Sequence, residues 1–300
     1  MTGKERKRDA GSIRMPLENI SGLTATKPSI DPASPPASAG RSSETQAKGI
    51  LIVNADDWGR NHETTERISE CILRGTVSSV SAMVFMEDSE RAAAVAKQRG
   101  IDAGLHLNLT TSFSAAEYPS SLRQHHERLA KYLLGRRVAQ AIYHPGLTRS
   151  FEYVVSAQLD EYRRLYGQLP GRIDGHHHMH LCTNILLAKL LPRGTIVRRN
   201  FSFQSGEKSL YNRLYRRVVD QMLARRHRLT DFFFSLPPFE PPQRLQRIFS
   251  LARQSVVELE THPVNPEEYR FLTGGEIFRW TAGGPIAPCF SVRPEGKRSC

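Results

Sequence analysis

From Gly49 onward, short apolar runs bounded by turns or polar clusters alternate with segments in which apolar residues recur every three or four positions. The runs Ile50–Asn54, Val77–Met86, Ala103–Leu109, Arg172–Asp174, Thr195–Arg199, Asp231–Leu236 and Val256–Thr261 are each short enough to form a buried strand. Between them, Glu63–Arg74, Ser89–Arg99, Phe151–Tyr166, Leu210–Arg226 and Arg244–Arg253 carry the helical period, as does Thr183–Leu191. Such alternation predicts parallel strands joined by helical crossovers. An open doubly wound sheet would bind a nucleotide through a glycine-rich first turn. Here the first strand runs instead into Asn54-Ala-Asp-Asp-Trp-Gly, so the expected fold is α/β, a TIM-like (β/α) barrel of about seven parallel strands. The pattern is absent from Met1 to Lys48, which is rich in Ser, Pro, Ala, Thr and Lys. That segment lacks the apolar content to offset the entropy of ordering and is expected to be a disordered tail, with Met15 as a later possible start. Residues 49–300 are expected to form a single domain.

Composition narrows the picture. Of 300 residues, 39% are hydrophobic and 24% charged, the balance of an ordinary globular chain with a sizeable core. No apolar run approaches the roughly 20 residues of a membrane span, and the charged N-terminus lacks a signal-peptide core, so the expected location is cytoplasmic. The four cysteines, Cys71, Cys182, Cys289 and Cys300, form no C-x-x-C pair, which argues for reduced thiols over a disulfide framework or a thiolate zinc site. The net charge is +12, and between Arg198 and Arg253 there are 12 Lys or Arg against four Asp or Glu. A solvated basic face accounts for this, because no nucleic-acid-binding module accompanies it.

The first strand ends in two adjacent carboxylates. Neighbouring strand residues point to opposite sides, so Asp56 and Asp57 can divide the work of one site, one holding a cation and the other moving protons. An N-cap or a turn would equally explain an isolated Asp pair. The third strand, Ala103-Gly-Leu-His-Leu-Asn-Leu-Thr, packs Leu105, Leu107 and Leu109 on one side and turns His106 to the other. The fourth ends in Asp174-Gly-His-His-His-Met-His, at the strand terminus that is the catalytic face of parallel barrels. Together Asp57, His106 and His176 offer one carboxylate and two imidazoles from three strands. That set suits one divalent ion, Mg2+ or Zn2+, with positions left for water and substrate.

These three motifs resemble the YdjC-like carbohydrate deacetylases, relatives of chitooligosaccharide deacetylase and the hopanoid-associated deacetylases, over most of Gly49–Pro263. The resemblance implies a metal-dependent hydrolase that removes acetyl groups from N-acetylated sugars by attack of metal-activated water. It puts Asp57, His106 and His176 on ligand positions and Asp56 on the general base. In Glu260-Thr-His-Pro, His262 would give a proton to the departing amine. Arg198 matches an arginine that binds substrate or orients Asp56, with Arg199 as its neighbouring competitor. Trp58, where phenylalanine is frequent, adjoins the expected pocket as a second substrate-binding residue. His177, His178 and His180 either orient ligands or line the pocket, and His62 is either a substrate contact or a helix start.

The expected partner is an N-acetylated saccharide, with no nucleic acid; a homodimer is compatible with the sequence. A metal-dependent phosphoesterase is the nearest alternative, and a basic nucleic-acid-binding protein the alternative of another class. The second explains none of the Asp and His clusters. Deleting residues 1–48 should leave melting temperature and activity nearly unchanged, and a large drop in melting temperature would refute the tail assignment.

Overall fold

A computed structural model describes residues 49–136, 138–203, 207–281 and 286–290. The expected tail, 1–48, lies outside the described residues. Seven strands form one sheet: β1 (Ile50–Trp58), β2 (Ser79–Ala82), β3 (Ala103–Leu107), β4 (Arg172–Gly175), β5 (Ile196–Val197), β6 (Phe232–Ser235) and β7 (Val256–Thr261). Their order is β5-β4-β3-β2-β1-β7-β6, and all neighbours run parallel. β1 lies near the middle, its Leu51, Ile52, Val53 and Ala55 all buried, as expected for a parallel strand covered on both faces.

The crossovers carry α1 (His62–Leu73), α2 (Ser89–Arg99), α3 (Ser120–Gly135), α4 (Thr148–Tyr166), α5 (Thr183–Ala188), α6 (Leu210–Ala224) and α7 (Pro242–Leu251). After β7 follow α8 (Pro266–Thr273) and α9 (Glu276–Thr281). The Asn61 side chain starts α1 by accepting from the Thr64 N–H, and α4 ends where Gly167 takes a left-handed conformation. Helix α3 was not expected from the pattern, because its inner stripe of Leu122, His126, Leu129 and Leu133 includes a histidine.

The expected closed TIM-like barrel is not what forms. The sheet is open and curled, and β5 and β6 are its two edges. Between them run isolated contacts: a bridge from Ile196 to Arg228, a 2.8 Å bond from Ser202 N–H to the Phe233 carbonyl, and a 3.1 Å bond from Phe233 N–H to Ser202 Oγ. Closure needs a continuous ladder with a fixed stagger. β5 has two residues, too few to carry one, and the chain then turns Arg198 into the interior.

Cys71 and Cys182 are free and buried, and burial raises both thiols to about 12. Cys289 is disulfide-bonded, which corrects the expectation of four reduced thiols.

His126 of α3 is buried, with its ring 4.3 Å from that of Phe113. Burial disfavours its cation and lowers its pKa from 6.5 to about 4. The unfolded chain therefore binds the proton first as pH falls, and stability drops between about pH 6.5 and 4, by up to roughly 3 kcal/mol from this group. His126→Phe should flatten the fall of melting temperature across that window. Parallel pH profiles for the two proteins would count against this assignment.

Candidate active site

The carboxyl ends of β1, β3, β4 and β7 converge, and the polar residues they carry are buried together. β1 departs from regular pairing between Ala55 and Trp58, and Asp57 has a φ of 68°, in the left-handed region that non-glycine residues seldom occupy. The irregularity gives the two adjacent carboxylates different partners within one site. Asp56 meets Arg198, with Nη1 2.6 Å and Nη2 2.7 Å from its two oxygens, and also accepts from Asn54 Nδ2 at 2.8 Å. Asp57 Oδ1 lies 3.0 Å from His176 Nδ1 and 3.4 Å from His106 Nε2, while its Oδ2 accepts from Arg60 at 2.9 Å.

His106 is fixed by strand register. It stands opposite Asp174 in the β3–β4 pairing, and its Nδ1 lies 2.7 Å from Asp174 Oδ1. With Nδ1 directed to Asp174, Nε2 is left facing Asp57 Oδ1 and is the ring nitrogen free to take a cation in place of its proton. Asp174 is held in turn by Ser81 Oγ at 2.5 Å and Arg198 Nη2 at 3.1 Å. His176 follows β4 at the start of a 3-10 turn, His176–Leu181, in which His177 and His178 have φ of 54° and 56°. The turn folds back so closely that a Cβ at Gly175 would lie 3.0 Å from the Cβ and backbone nitrogen of His180.

Charge in this site is tightly counterbalanced. Burial opposes ionisation of Asp56, but the Arg198 guanidinium outweighs it and holds the carboxyl well below the usual carboxylate range. Burial likewise opposes ionisation of Asp174, and Arg198 and His106 keep it at about 2. Burial would also make His106 neutral, yet the Asp56 charge and the bond to Asp174 push it up to about 10. In contrast, burial and the nearby Asp56 charge raise Glu260 well above its ordinary value, and burial raises Glu258 too.

The Asp57–His106–His176 trio fits a cation. Its three ligand atoms lie within 4.8 Å of one another, from three buried residues. Two of them, Asp57 Oδ1 and His106 Nε2, are buried and make no well-aligned hydrogen bond, facing instead one another at 3.4 Å and, for Oδ1, His176 Nδ1 at 3.0 Å. The surrounding carboxylates also draw positive charge to His106, where a divalent ion could replace the proton.

The remaining candidates fall in different places. Arg198 is buried and ion-paired with Asp56, Asp174, Glu258 and Glu260. Its neighbour Arg199 turns away, to Asp220 at 2.9 Å. His262 Nε2 lies 4.0 Å from Asp56 Oδ2 with the side chain 34% exposed. Trp58 is wholly buried in the hydrophobic core with its indole N–H on the Ala92 carbonyl, and is not among the groups around Asp57. His177 contacts Thr110, and His178 lies 3.7 Å from Glu260. His180 Nε2 is 2.9 Å from the Arg198 carbonyl. His62 is exposed at the start of α1. Residues missed from sequence are Asp174, Glu258 and Glu260. The two glutamates alternate with Val257 and Leu259 on β7, a period-two signal of an inward polar face.

A profile of YdjC-like proteins matches residues 50–280. Chitooligosaccharide deacetylase of Serratia marcescens is 36% identical over 137 residues, covering 44% of this chain and 51% of the relative. Mouse carbohydrate deacetylase is 35% identical over 137 residues, covering 45% and 44% respectively. The chain thus spans about half the length of the curated relatives it matches. Among solved structures, an Enterococcus faecalis protein described as a candidate for cellobiose-phosphate cleavage superposes with a TM-score of 0.54. It has 18% identity and the match covers 80% of this chain and 97% of that one, a likeness of fold. With the profile covering β1 through α9, the chain belongs to the YdjC-like protein family.

Proposed function

We propose that this protein removes acetyl groups from N-acetylated sugars by hydrolysis, with one divalent ion held by Asp57, His106 and His176. The observation that carries the reading is the buried cluster of three ligand atoms from Asp57, His106 and His176, within 4.8 Å of one another, beside a carboxylate clamped by Arg198. The family and the deacetylase relatives support it. One carboxylate and two imidazoles favour a borderline ion such as Zn2+ over Mg2+, which prefers all-oxygen sites. When bound, such an ion polarises the acetamide carbonyl and acidifies water.

The side chains supply the rest. Asp56 accepts the proton of the attacking water. Its two contacts to Arg198 cost it basicity and fix its direction, an acceptable exchange where the water is already acidified. The new C–O bond forms, the C–N bond breaks, and the sugar nitrogen leaves with a proton. His262, partly exposed and close to Asp56, donates that proton. Glu260, whose pKa burial and the neighbouring Asp56 raise, is a second group able to carry one. Asp174 keeps the His106 ring oriented.

With divalent metal, the protein should release acetate and free amine in equal amounts from an N-acetylglucosamine-type substrate, and chelation or His106→Ala should abolish this. If a broad glycan panel gives no acetate while phosphate esters are cleaved with metal, the phosphoesterase reading replaces this one.

The two aspartates should separate. Asp57→Ala should lose metal and activity together, whereas Asp56→Asn should retain metal and lose turnover by roughly 100-fold or more. Metal analysis of both variants is the check, and equal loss would make Asp56 a ligand.

A further inference from the structure

Helix α6 is built inside out. Toward the body of the protein it directs Asn212, Arg216 and Asp220 along with Val219 and Leu223. Arg216 bonds Asn212 and Asn200, and Asp220 receives Arg199 and Asn200. Toward solvent it turns Leu210, Tyr211 and Leu214, which are 77%, 87% and 59% exposed, followed by Tyr215 and Val218. Leu210, Leu214 and Val218 recur every four residues and so form one line along the helix. A surface helix of a globular protein ordinarily shows the reverse arrangement.

The apolar face extends past the helix. Exposed Val138 shares a cavity of about 350 Å³ with Tyr215, and exposed Leu187 shares one of about 380 Å³ with Met222. Contiguous exposed apolar surface of this kind marks a contact site. Its margin is basic: Arg217 is exposed on α6, and Lys189, Arg193, Arg225 and Arg226 line the second cavity.

We propose that this face docks on an anionic lipid surface, with α6 lying in the plane of the headgroups. An apolar stripe bordered by arginine and lysine is the arrangement that buries side chains among acyl chains while pairing cations with lipid phosphates. The +12 net charge acts in the same direction. A second copy fits less well, because a symmetric contact would bring like-charged margins together. Nucleic acid would meet leucine and tyrosine where phosphates need partners. Among the described residues no helix is long and apolar enough to cross a membrane, so the contact would be peripheral.

The test is sedimentation of the full chain with vesicles of phosphatidylcholine alone and of an equal mixture with phosphatidylglycerol, at low salt. Binding is expected to the mixed vesicles and not to the neutral ones. The Leu214→Gln, Val218→Gln double variant should bind roughly tenfold more weakly or worse while keeping its melting temperature. Arg217→Glu with Arg225→Glu, at sites that touch no core, should also weaken binding. No binding to mixed vesicles would overturn the proposal, as would a double glutamine variant that binds like wild type. So would a wild-type dimer that the glutamine changes convert to monomer, since the face would then belong to a second copy.

Discussion

A buried guanidinium organises this protein. Arg198 sits in the interior against Asp56, Asp174, Glu258 and Glu260, four carboxyls from three strands. Carboxylates cannot be gathered in a low-dielectric interior without cations to answer them, and each uncompensated charge would cost several kcal/mol. The solution is a near-balance. Burial keeps Glu258 and Glu260 toward their neutral forms, leaving Asp56, Asp57 and Asp174 as anions. Against these stand Arg198, Arg172 and a His106 pressed toward its cation. His106 Nε2 faces Asp57, which His176 also meets, so the three form one buried cluster.

Backbone geometry follows from the same need. Asp57, His177 and His178 occupy left-handed conformations that side chains tolerate at a cost, and all three lie at the site. A regular β1 would send one of its two terminal aspartates to the far side of the sheet. The irregularity after Ala55 keeps both within reach of their partners. β5 is only two residues long, and Arg198 follows it with its N–H still bonded to the Ile173 carbonyl of β4 at 3.1 Å while its side chain is buried in the interior.

Much of this was legible from residue order, because period-two and helical patterns report burial, and burial is what the strands and crossovers share. Asp57, His106 and His176 could be grouped as candidates because they lie at or near the carboxyl ends of apolar runs, which parallel strands bring to one face, and the structure does bring the three together. Closure was not legible, since it depends on whether two edge strands meet, which no local pattern encodes. Asp174 stood in plain view before the histidine tract, but its role rests on the register that sets it opposite His106. Trp58 lies elsewhere than its place in the sequence suggested. Regular alternation would put it on the same face as Asp56, two residues earlier, but the irregularity of β1 between Ala55 and Trp58 leaves it buried with its indole N–H on the Ala92 carbonyl.

The adjacent arginines after β5 tie the interior to the outer surface. Arg198 turns into the site, and Arg199 turns the opposite way, to Asp220 of α6. Asn200 continues the connection, donating its backbone N–H to Asp220 and meeting Arg216. These polar anchors determine which side of α6 faces the protein, since two half-buried arginines and a buried asparagine need partners that leucine cannot give. Leu210, Leu214 and Val218 are therefore turned outward by the pairing that seats the helix. The apolar face is thus a consequence of how the segment carrying Arg198 is held.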